Sequence, residues 1–547
     1  MPDRIENLKL ICSGGLNSNE NHLDLSDNNP GSATKLINYE PSLYGGYRRI
    51  NGFKTYHSQY GEVDDGNGVA EGKVLGVFVY KNDYDNTERV IACRKDIGAN
   101  TYSFWMLSPI AGWYKMSGAP NPSTVDAQRT VNKVRAAQFN FGSGNQIIFV
   151  DGVNTPKVFN GQNWYDLALS GTGGTTSPGG NQMIEAPSVV EVYKRHIFIS
   201  GDTEAEGVVA HSAPNDPLTW TTAAGGGQLT VGTDVVQIKP FRENLFVFSN
   251  NAIQKVSVNA AEEFVVDNVT SNVGCIARDS VLEIGGDLIF LAPDGFRPVA
   301  GTSRIGDVEL ETISKSIQGA IIDLVENYDL STMNGVVVRS KSQVRFFVGD
   351  DTAFTQDSLG ILGGLTQVGS SISWEFGTTL GIRASCCTSG YINKQELVLH
   401  GDYDGKVYRQ EQGNSFNGQD IVSIYATPYL DFGDAGARKS IRKVNTFVRA
   451  EGPMEMNLSL SYDWGDYTIS KPANYTQASV GAPSVYGGRN IDYADANVLY
   501  GGSSKPVMTT DVQGSGMSLR ATFVSVGQYD PFSIQGLVIE FTPAGRR

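Results

Sequence analysis

Along this chain, a short apolar run, an Asp-Gly or Asn-Gly turn and a second apolar run recur in that order. The pattern is clearest at 146–164, where apolar runs precede the pairs Asp151-Gly152 and Asn160-Gly161. Weaker copies lie at 288–296 and 397–408. Turns of this kind tolerate positive φ and join antiparallel strands, so hairpins repeated along a long chain predict the blades of a β-propeller.

Further strands follow the same spacing through the middle of the chain. The first predicted group, spaced as expected of two blades, is 74–80, 89–94, 102–107, 134–139, 147–150 and 157–159. The next group is 188–193, 196–200, 208–211, 235–240, 244–249 and 252–258. The last group is 335–339, 344–348, 373–376, 381–388 and 396–400, with an end at Tyr408. The blade pattern stops near Gly418.

Two segments interrupt the strand pattern. Residues 170–183 are rich in Gly, Ser and Thr and cannot pack a core, so they predict an exposed loop or flexible insertion. Residues 312–326 predict one helix, although Gly319 weakens it. The apolar residues at helical spacing in it are Ile313, Ile317, Ile321 and Leu324.

Beyond Gly418, apolar residues alternate with polar ones, most clearly at Leu458, Leu460 and Tyr462. This period of two is typical of a sheet buried on one face. Together with the runs 421–433, 516–525 and 533–541, it predicts a separate β-sandwich domain. The stretch 471–505, rich in small residues and Tyr, predicts a long loop.

Length and composition agree with an all-β fold. A chain of 547 residues is expected to contain two or three domains, and its 63 Gly, 24 Tyr and 24 Phe suit tight turns and pleated faces. We divide it into three parts. An extended N-terminal segment at 1–53 packs on the body or on a neighbour, a propeller-like body spans 54–417, and the sandwich spans 418–547.

The lack of an expected targeting signal and the pattern of the cysteines indicate folding in a reducing compartment. Residues 1–11 carry four charges and no long apolar stretch, so no signal peptide is expected, and no run reaches membrane-spanning length. The odd number and scattered spacing of the cysteines predict reduced, buried or half-buried side chains, with adjacent Cys386 and Cys387 on opposite faces of a strand. The five are Cys12, Cys93, Cys275, Cys386 and Cys387.

The net charge of −15 is uneven. From Gly418 onward there are 12 acidic and 11 basic residues, so the preceding part of the chain carries about −14. An acidic surface disfavours tight binding to a phosphate backbone, which needs clustered Lys and Arg, but it leaves a passing DNA polymer mobile. Solubility alone is the simpler explanation of the charge.

No residue pattern assigns a catalytic, cofactor or metal site, and no cofactor is expected. The histidines lack metal or triad spacing, and Gly225-Gly226-Gly227 is not followed by the Lys-Ser/Thr of a phosphate loop. The Asp and Asn cluster at 64–68 favours a solvated turn over a Ca²⁺ loop. The histidines are His22, His57, His196, His211 and His400.

Paired carboxylates and tryptophans are the remaining candidates for chemistry. Glycosidases need two carboxylates, but the pairs Asp402/Asp404 and Asp463/Asp466 carry little specificity, and Asp404-Gly405, like Asp151-Gly152, favours a turn. Sugar stacking on a Trp is an alternative to the commoner packing role, in which Trp220 closes a blade between neighbouring sheets. The candidates for stacking are Trp113, Trp164 and Trp220.

Several segments resemble tail proteins of short-tailed, podovirus-type bacteriophages, in the tail nozzle or tail tubular protein B-like group. Gly14-Gly15-Leu16-Asn17 and the segment 44–53 are similar to the opening of these proteins. The blade sequence FVDGVNTPKVFNGQNWYDL and the sandwich sequences ATPYLDFGDAGARKSIRKV and FSIQGLVIEFTPAGRR are similar to the same group. The resemblance spans nearly the whole chain.

The resemblance implies a structural virion protein without enzymatic activity, synthesised and assembled in the host cytoplasm and located in the virion tail. It implies a homo-hexameric ring below the portal and adaptor that retains the packaged genome and conducts DNA during ejection. Expected partners are the adaptor, the tail fibre, spike or needle proteins, and genomic DNA bound without sequence specificity. Which residues line or gate the channel is not assigned.

Two other function classes remain open. A receptor- or carbohydrate-binding tail module would use exposed aromatic residues of the 471–505 loop. Those aromatic residues are Tyr475, Tyr486, Tyr493 and Tyr500. A propeller enzyme that degrades glycans is the third class, and it requires a pair of catalytic carboxylates.

Overall fold

Apolar runs separated by tight turns form antiparallel hairpins in the computed structural model of the chain, as their pattern predicts. The structure describes residues 5–56, 72–96, 98–108, 112–126, 129–142, 144–167, 184–299, 312–349, 359–368, 371–466, 468–469, 471–479 and 506–546. The predicted loop at 170–183 and the cluster at 64–68 lie outside these residues. Among the described residues, no helix is long and apolar enough to cross a membrane.

The N-terminal segment contributes short elements to several sheets. They are β1 (Glu6–Ile11), α1 (His22–Asn28), β2 (Lys35–Ile37), β3 (Tyr39–Pro41), β4 (Tyr47–Arg49) and β5 (Phe53–Thr55). The side chain of Asn21 caps α1 by accepting a hydrogen bond from the backbone N–H of Leu23.

Four four-stranded sheets follow as blades 1 to 4 of a propeller. Blade 1 contains β6 (Val74–Asn82), β7 (Thr87–Lys95), β8 (Tyr102–Ser108) and β9 (Gly112–Lys115). Blade 2 contains β10 (Arg135–Asn140), β11 (Asn145–Val150), β12 (Lys157–Phe159) and β13 (Trp164–Asp166). Blade 3 contains β14 (Val189–Tyr193), β15 (His196–Ser200), β16 (Val208–His211) and β17 (Gly227–Thr230). Blade 4 contains β18 (Val235–Phe241), β19 (Asn244–Ser249), β20 (Ile253–Val258) and β21 (Phe264–Thr270).

The remaining part of the ring is less regular. Blade 5 has three strands, β22 (Leu282–Ile284), β23 (Asp287–Ala292) and β24 (Gly295–Pro298). After helix α2 (Gln318–Asn327) come β25 (Asn334–Val338), β26 (Gln343–Phe347), β27 (Leu359–Val368) and β28 (Ser371–Leu380). Blade 6 contains β29 (Cys386–Ile392), β30 (Gln395–Gly401) and β31 (Val407–Gln410), and β5 is its outer strand. The N-terminal segment therefore completes the last blade.

Six sheets thus form separate blades, and β25 to β28 fill the sector between blades 5 and 6. These four strands belong to a nine-stranded sheet that continues into the C-terminal part of the chain in the order β25-β26-β27-β28-β2-β32-β38-β34-β35. Its new strands are β32 (Ile421–Ala426), β34 (Met454–Tyr462), β35 (Tyr475–Ser479) and β38 (Leu519–Gly527). One continuous sheet therefore crosses the domain boundary that the sequence places near residue 418.

A second, seven-stranded sheet packs against the C-terminal part of the nine-stranded sheet. It combines β1, β3 and β4 with β33 (Ala437–Ala450), β36 (Val507–Asp511), β37 (Ser515–Gly516) and β39 (Phe532–Arg546). Side chains from both sheets share one core, which contains Leu458 and Leu460 of one sheet and Val444 and Ile539 of the other. The all-β fold, with a propeller and a C-terminal sandwich, is confirmed.

Short 3-10 turns connect several of these elements. They are Thr222–Ala224, Arg278–Ser280, Lys315–Ile317, Leu330–Thr332, Arg339–Lys341 and Asp463–Gly465. The predicted helix at 312–326 is shorter than expected, because the backbone N–H of Ile313 pairs with the carbonyl of Phe296 and the hydroxyl of Ser314 accepts from the N–H of Phe296. These bonds hold 312–314 outside the helix, and α2 begins at Gln318.

Two other predicted boundaries and one long strand differ from the prediction. Residues 381–385 precede β29, because Gly381 adopts a φ of +92° and ends the preceding strand. The predicted 471–505 loop contains β35, and its residues 480–505 lie outside the described part. The long strand β33 has no predicted counterpart, since its register shifts against β39 between Ile441 and Lys443. That β-bulge breaks the period of two.

A buried charge network joins the N-terminal segment to the propeller and to the C-terminal sandwich, which we call the two lobes. Glu40 on β3 is 1% exposed and accepts from Arg48 at 2.6 Å, Lys341 at 2.7 Å and Arg345 at 3.2 Å. Lys341 and Arg345 also pair with Glu411, which follows β31 of blade 6. Burial raises the pKa of Glu411, but these two cations outweigh it and hold that pKa well below its usual range.

The same network reaches the sandwich. Arg48 on β4 donates two hydrogen bonds to Glu451, at 2.6 and 2.7 Å, just beyond the end of β33. Arg49 is fully buried and donates to the carbonyls of Ile421, Gly527 and Tyr529. Since carbonyl acceptors carry no full charge, burial lowers the pKa of Arg49. The β3–β4 hairpin is thus bonded to both lobes.

We predict that Glu40→Gln lowers the free energy of unfolding by about 3 kcal/mol or more, because it leaves three buried or half-buried cations without their shared carboxylate. Urea denaturation at pH 7 measures the change. The matched control is Asp267→Asn, which removes an exposed carboxylate 3.8 Å from Lys255 and is expected to leave the midpoint unchanged. Equal midpoints for Glu40→Gln and the control would contradict the prediction.

Candidate functional site

The inner strands of the propeller surround an axial funnel. These strands are β6, β10, β14, β18, β22, β25 and β29, and they line a cavity of about 240 Å³. Two further cavities, of about 320 and 460 Å³, adjoin it toward the ends of β6, β10 and β14, and all three share Ala136 of β10. We call the small cavity the floor of the funnel and the two larger ones its mouth.

Ion pairs cross the funnel floor. Lys133, just before β10 in blade 2, reaches Asp279 before β22 at 2.9 Å and also donates to the carbonyl of Met333, next to β25. Arg135 donates two hydrogen bonds to the same carboxylate, both at 2.8 Å. Because blade 2 lies across the ring from blade 5 and β25, these side chains close the axis at this level.

Electrostatics at the floor depend on Asp279. Burial raises the pKa of its carboxyl, but Arg135 and Lys133 outweigh that effect and hold the pKa far below its usual range. Burial lowers the pKa of Lys133, and Asp279 opposes the change. Burial and the nearby Arg135 lower the pKa of Arg278, adjacent in sequence to Asp279, to about 10. One carboxylate therefore balances several cations.

The funnel mouth is lined by exposed cations. Lys194 and Arg195 form the turn between β14 and β15, and their φ values of +47° and +67° are those of a type I′ hairpin turn. Lys239 on β18 pairs with Glu191 on β14, and Glu88 accepts a hydrogen bond from the backbone N–H of Asn393. The mouth therefore has charged groups of both signs, most of them basic.

An exposed tryptophan forms a second candidate site on the sandwich. Asp463, Trp464 and Gly465 all have positive φ, at +47°, +61° and +77°. This turn holds Trp464 52% exposed while its ring stacks on Tyr429, with centroids 5.1 Å apart. Backbone strain at a non-glycine residue that supports an exposed aromatic ring is typical of a functional surface.

Neighbouring residues hold this turn in place. Asp463 accepts from the backbone N–H groups of Met517 and Ser518, at 2.6 and 2.9 Å. His22 of α1 packs edge-on against the Trp464 ring at 5.1 Å and accepts from the N–H of Tyr429. We call Trp464, Tyr429 and His22 the aromatic platform. Sequence reasoning missed it, because the strained turn that exposes Trp464 follows directly after a buried strand.

The aromatic residues predicted to bind a receptor lie elsewhere. Tyr475 is half-buried on β35, packs against the sandwich core and accepts from the backbone N–H of Gln513. It is therefore a packing residue, which corrects the prediction for this position. Tyr486, Tyr493 and Tyr500 lie outside the described residues.

The three tryptophans considered for sugar stacking also pack inside the molecule. Trp220 is 1% exposed, donates to the carbonyl of Pro217 and lies in a core shared by blades 2 and 3, which confirms its predicted position between sheets. Trp113 is buried between blades 1 and 6, and half-buried Trp164 stacks with Phe149 and other rings of blades 1 and 2. The faces of Trp113 and Trp220 are not available to a sugar.

The carboxylates considered for glycan hydrolysis hold local turns and ion pairs. Asp402 accepts from the backbone N–H groups of Asp404 and Lys406, and burial raises its pKa to about 6. Asp404 instead pairs with Arg383 at 3.3 Å. Asp463 holds the platform turn, and Asp466 accepts from the N–H and hydroxyl of Thr468. The predicted turns at Asp404-Gly405 and Asp151-Gly152 are confirmed, and both glycines have positive φ.

His400, His211 and the cysteines are packing residues, and His57 lies outside the described residues. His400 is buried against Phe53 and Tyr408, and burial lowers its pKa to about 3. Burial likewise lowers the pKa of His211 to about 4. The cysteines are free, four buried and Cys387 half-buried, with Cys386 and Cys387 in different core clusters. Within the described ranges, no group of three or more His, Cys, Asp or Glu residues is placed to hold a metal ion.

Comparison of the sequence with protein-family models and curated proteins identifies no relative. The chain matches no protein-family model, and no curated protein is significantly similar to it. The fold, the two candidate sites and the sequence resemblance therefore support any assignment of function.

We predict that Asp279→Asn lowers stability at pH 7 and flattens its dependence on pH in acid. Since the pKa of Asp279 is depressed in the folded state, its contribution is present above the unfolded pKa near 4 and is lost as pH falls below it. Urea denaturation from pH 7 down to about 2.5 measures both effects. The control is Asp323→Asn on the exposed face of α2. A variant that loses stability in acid as steeply as the parent would disprove this role.

Proposed function

We propose that this protein is a structural component of a short-tailed phage tail, a nozzle subunit that assembles with further copies into a ring below the portal and adaptor. The observation that carries the proposal is the bonding of both lobes through the N-terminal segment, because a subunit of a pressurised conduit has to transmit force without separating its domains. The resemblance along nearly the whole chain supports the same function. The proposed subunit has no enzymatic role.

In this function the DNA channel lies between subunits. The funnel of a single chain is too narrow for a DNA duplex. Its floor is a cavity of only about 240 Å³ that the Lys133–Asp279 pair crosses, whereas the major groove of a duplex is by itself about 12 Å wide. A conduit enclosed by several copies, with acidic side chains toward its lumen, limits sticking of DNA, and the net charge of −15 is compatible with that. Loops at the tip close the tube until host contact.

We propose a homo-hexamer that contacts the adaptor above and the tail fibre, spike or needle proteins beside or below it. Genomic DNA passes through without sequence-specific binding. The ring is retained in the virion tail after assembly in the host cytoplasm.

The expected result of cryo-electron microscopy on virions, or on this protein mixed with its adaptor, is a six-fold tube of this chain around a continuous acidic channel. Symmetry along the tail axis is the measured quantity, and adaptor alone is the control. Peripheral copies without a central channel would overturn the nozzle function. A central tube with a basic lumen would overturn the electrostatic part of it.

The aromatic platform favours a second candidate function, a receptor- or carbohydrate-binding module of the tail. Trp464 presents a large exposed ring on this turn. Two exposed apolar side chains lie close by: Leu23 follows His22 in the sequence, and the backbone N–H of Met517 donates to Asp463 in the turn. Stacking on such rings is a common way to bind sugars and partner side chains. The third candidate, a glycan-degrading enzyme, lacks support from the carboxylate pairs named above.

For the second candidate, Trp464→Asn is expected to weaken binding to host cell-surface glycans by about tenfold or more, since it removes the aromatic anchor. Asn is chosen because it tolerates positive φ. Glycan-array binding of purified protein is the measurement, and Tyr84→Asn, which removes a 74% exposed ring on blade 1, is the control. Unchanged glycan binding in Trp464→Asn would exclude the platform as the binding site.

A further inference from the structure

The axial funnel has a positive charge surplus in an acidic protein. Its three cavities are lined by six cations and three carboxylates, whereas the chain as a whole carries −15. The cations are Lys81, Lys133, Arg135, Lys194, Arg195 and Lys239. The carboxylates are Glu88, Glu191 and Asp279. A concave site with one sign of excess charge concentrates ligands of the opposite sign.

Part of this surplus is located at the mouth. At the floor, Lys133 and Arg135 share the single carboxylate of Asp279. Two further lining cations are paired one to one, Lys239 with Glu191 and Lys194 with Glu243. Lys81 and Arg195, by contrast, are exposed and form no ion pair with any described residue, and Glu88 is the cross-strand neighbour of Lys81. These two cations stand on blades 1 and 3, on either side of β10, and are free to bind an anion.

The walls between these cations offer ring surfaces and an amide. Phe78 and Tyr391 line one cavity of the mouth, Phe139 lines the other, and Gln138 lines both. Tyr391 is 51% exposed and both Phe rings are half-buried, so part of each aromatic surface is covered by no other side chain. Cavities of 320 and 460 Å³ lie in the size range of small-molecule sites.

We propose that the funnel mouth binds an acidic saccharide, a sugar ring that carries a carboxylate or phosphate group. The anionic group is held by Lys81 or Arg195 at the rim, and the ring packs on the aromatic wall beside Gln138. Charged donors supply affinity for the anion, and the aromatic wall distinguishes a sugar from a bare ion. The inference is independent of the nozzle function, because the site lies within one chain.

Isothermal titration calorimetry with glucuronate, glucose 6-phosphate, glucose and inorganic phosphate tests the proposal on the full chain. We expect at least one acidic sugar to bind, more weakly at higher salt, and glucose to bind at least about tenfold more weakly, as expected for loss of a charged contact. Preference for glucuronate or for glucose 6-phosphate distinguishes a carboxylate ligand from a phosphate ligand. No binding of either acidic sugar at millimolar concentration would overturn the proposal.

Variants locate the site. Lys81→Gln and Arg195→Asn are each expected to weaken binding of the acidic sugar roughly two- to fivefold, the change that corresponds to an exposed ion pair. Asn tolerates the positive φ at position 195, and neither side chain has a salt bridge to lose. Lys255→Gln, on β20 away from the axis, is the matched control. Inorganic phosphate binding as tightly as the acidic sugar, or equal effects of all three variants, would overturn the assignment.

Discussion

The buried carboxylate of Glu40 is the interaction on which the arrangement of this molecule depends. It lies on a short hairpin of the N-terminal segment and accepts hydrogen bonds from Arg48, Lys341 and Arg345, which come from the same hairpin and from the sheet that enters the propeller ring. A buried ion pair gains little over apolar packing, but an unpaired buried charge is costly. The network therefore penalises any arrangement in which the hairpin leaves its place between the lobes.

The same segment closes the propeller. Strand β5 pairs with β31 as the outer strand of blade 6, while β2 is inserted between β28 and β32 of the nine-stranded sheet. A ring closed by a strand from the other end of the body cannot open one blade without breaking sheet hydrogen bonds. The funnel at its centre has a floor crossed by the ion pairs of Lys133 and Arg135 with Asp279. Its two larger cavities have the size of small-molecule sites.

Local patterns predicted much of the fold and little of the candidate sites. The hairpin at Asp151 was predicted because a carboxylate before Gly accepts backbone N–H groups within the turn itself. Strand β33 was not predicted, because its bulges break the alternation of apolar residues. Trp464 was missed for a related reason: its exposure is set by a strained turn and by contacts with Tyr429 and His22, residues 35 and more than 400 positions away.

By itself, the sequence determined the all-β class, the position of most propeller strands and the presence of a sandwich at the C-terminal end, since the period of two and the turn residues act over a few positions. Only the tertiary structure decided which distant strands pair, as β1 does with β39 across more than 500 residues. It also decided which charges are buried together and which cations line the funnel. The physical reason is that strand pairing, burial and charge compensation depend on neighbours in space. The local sequence around a residue does not identify those neighbours.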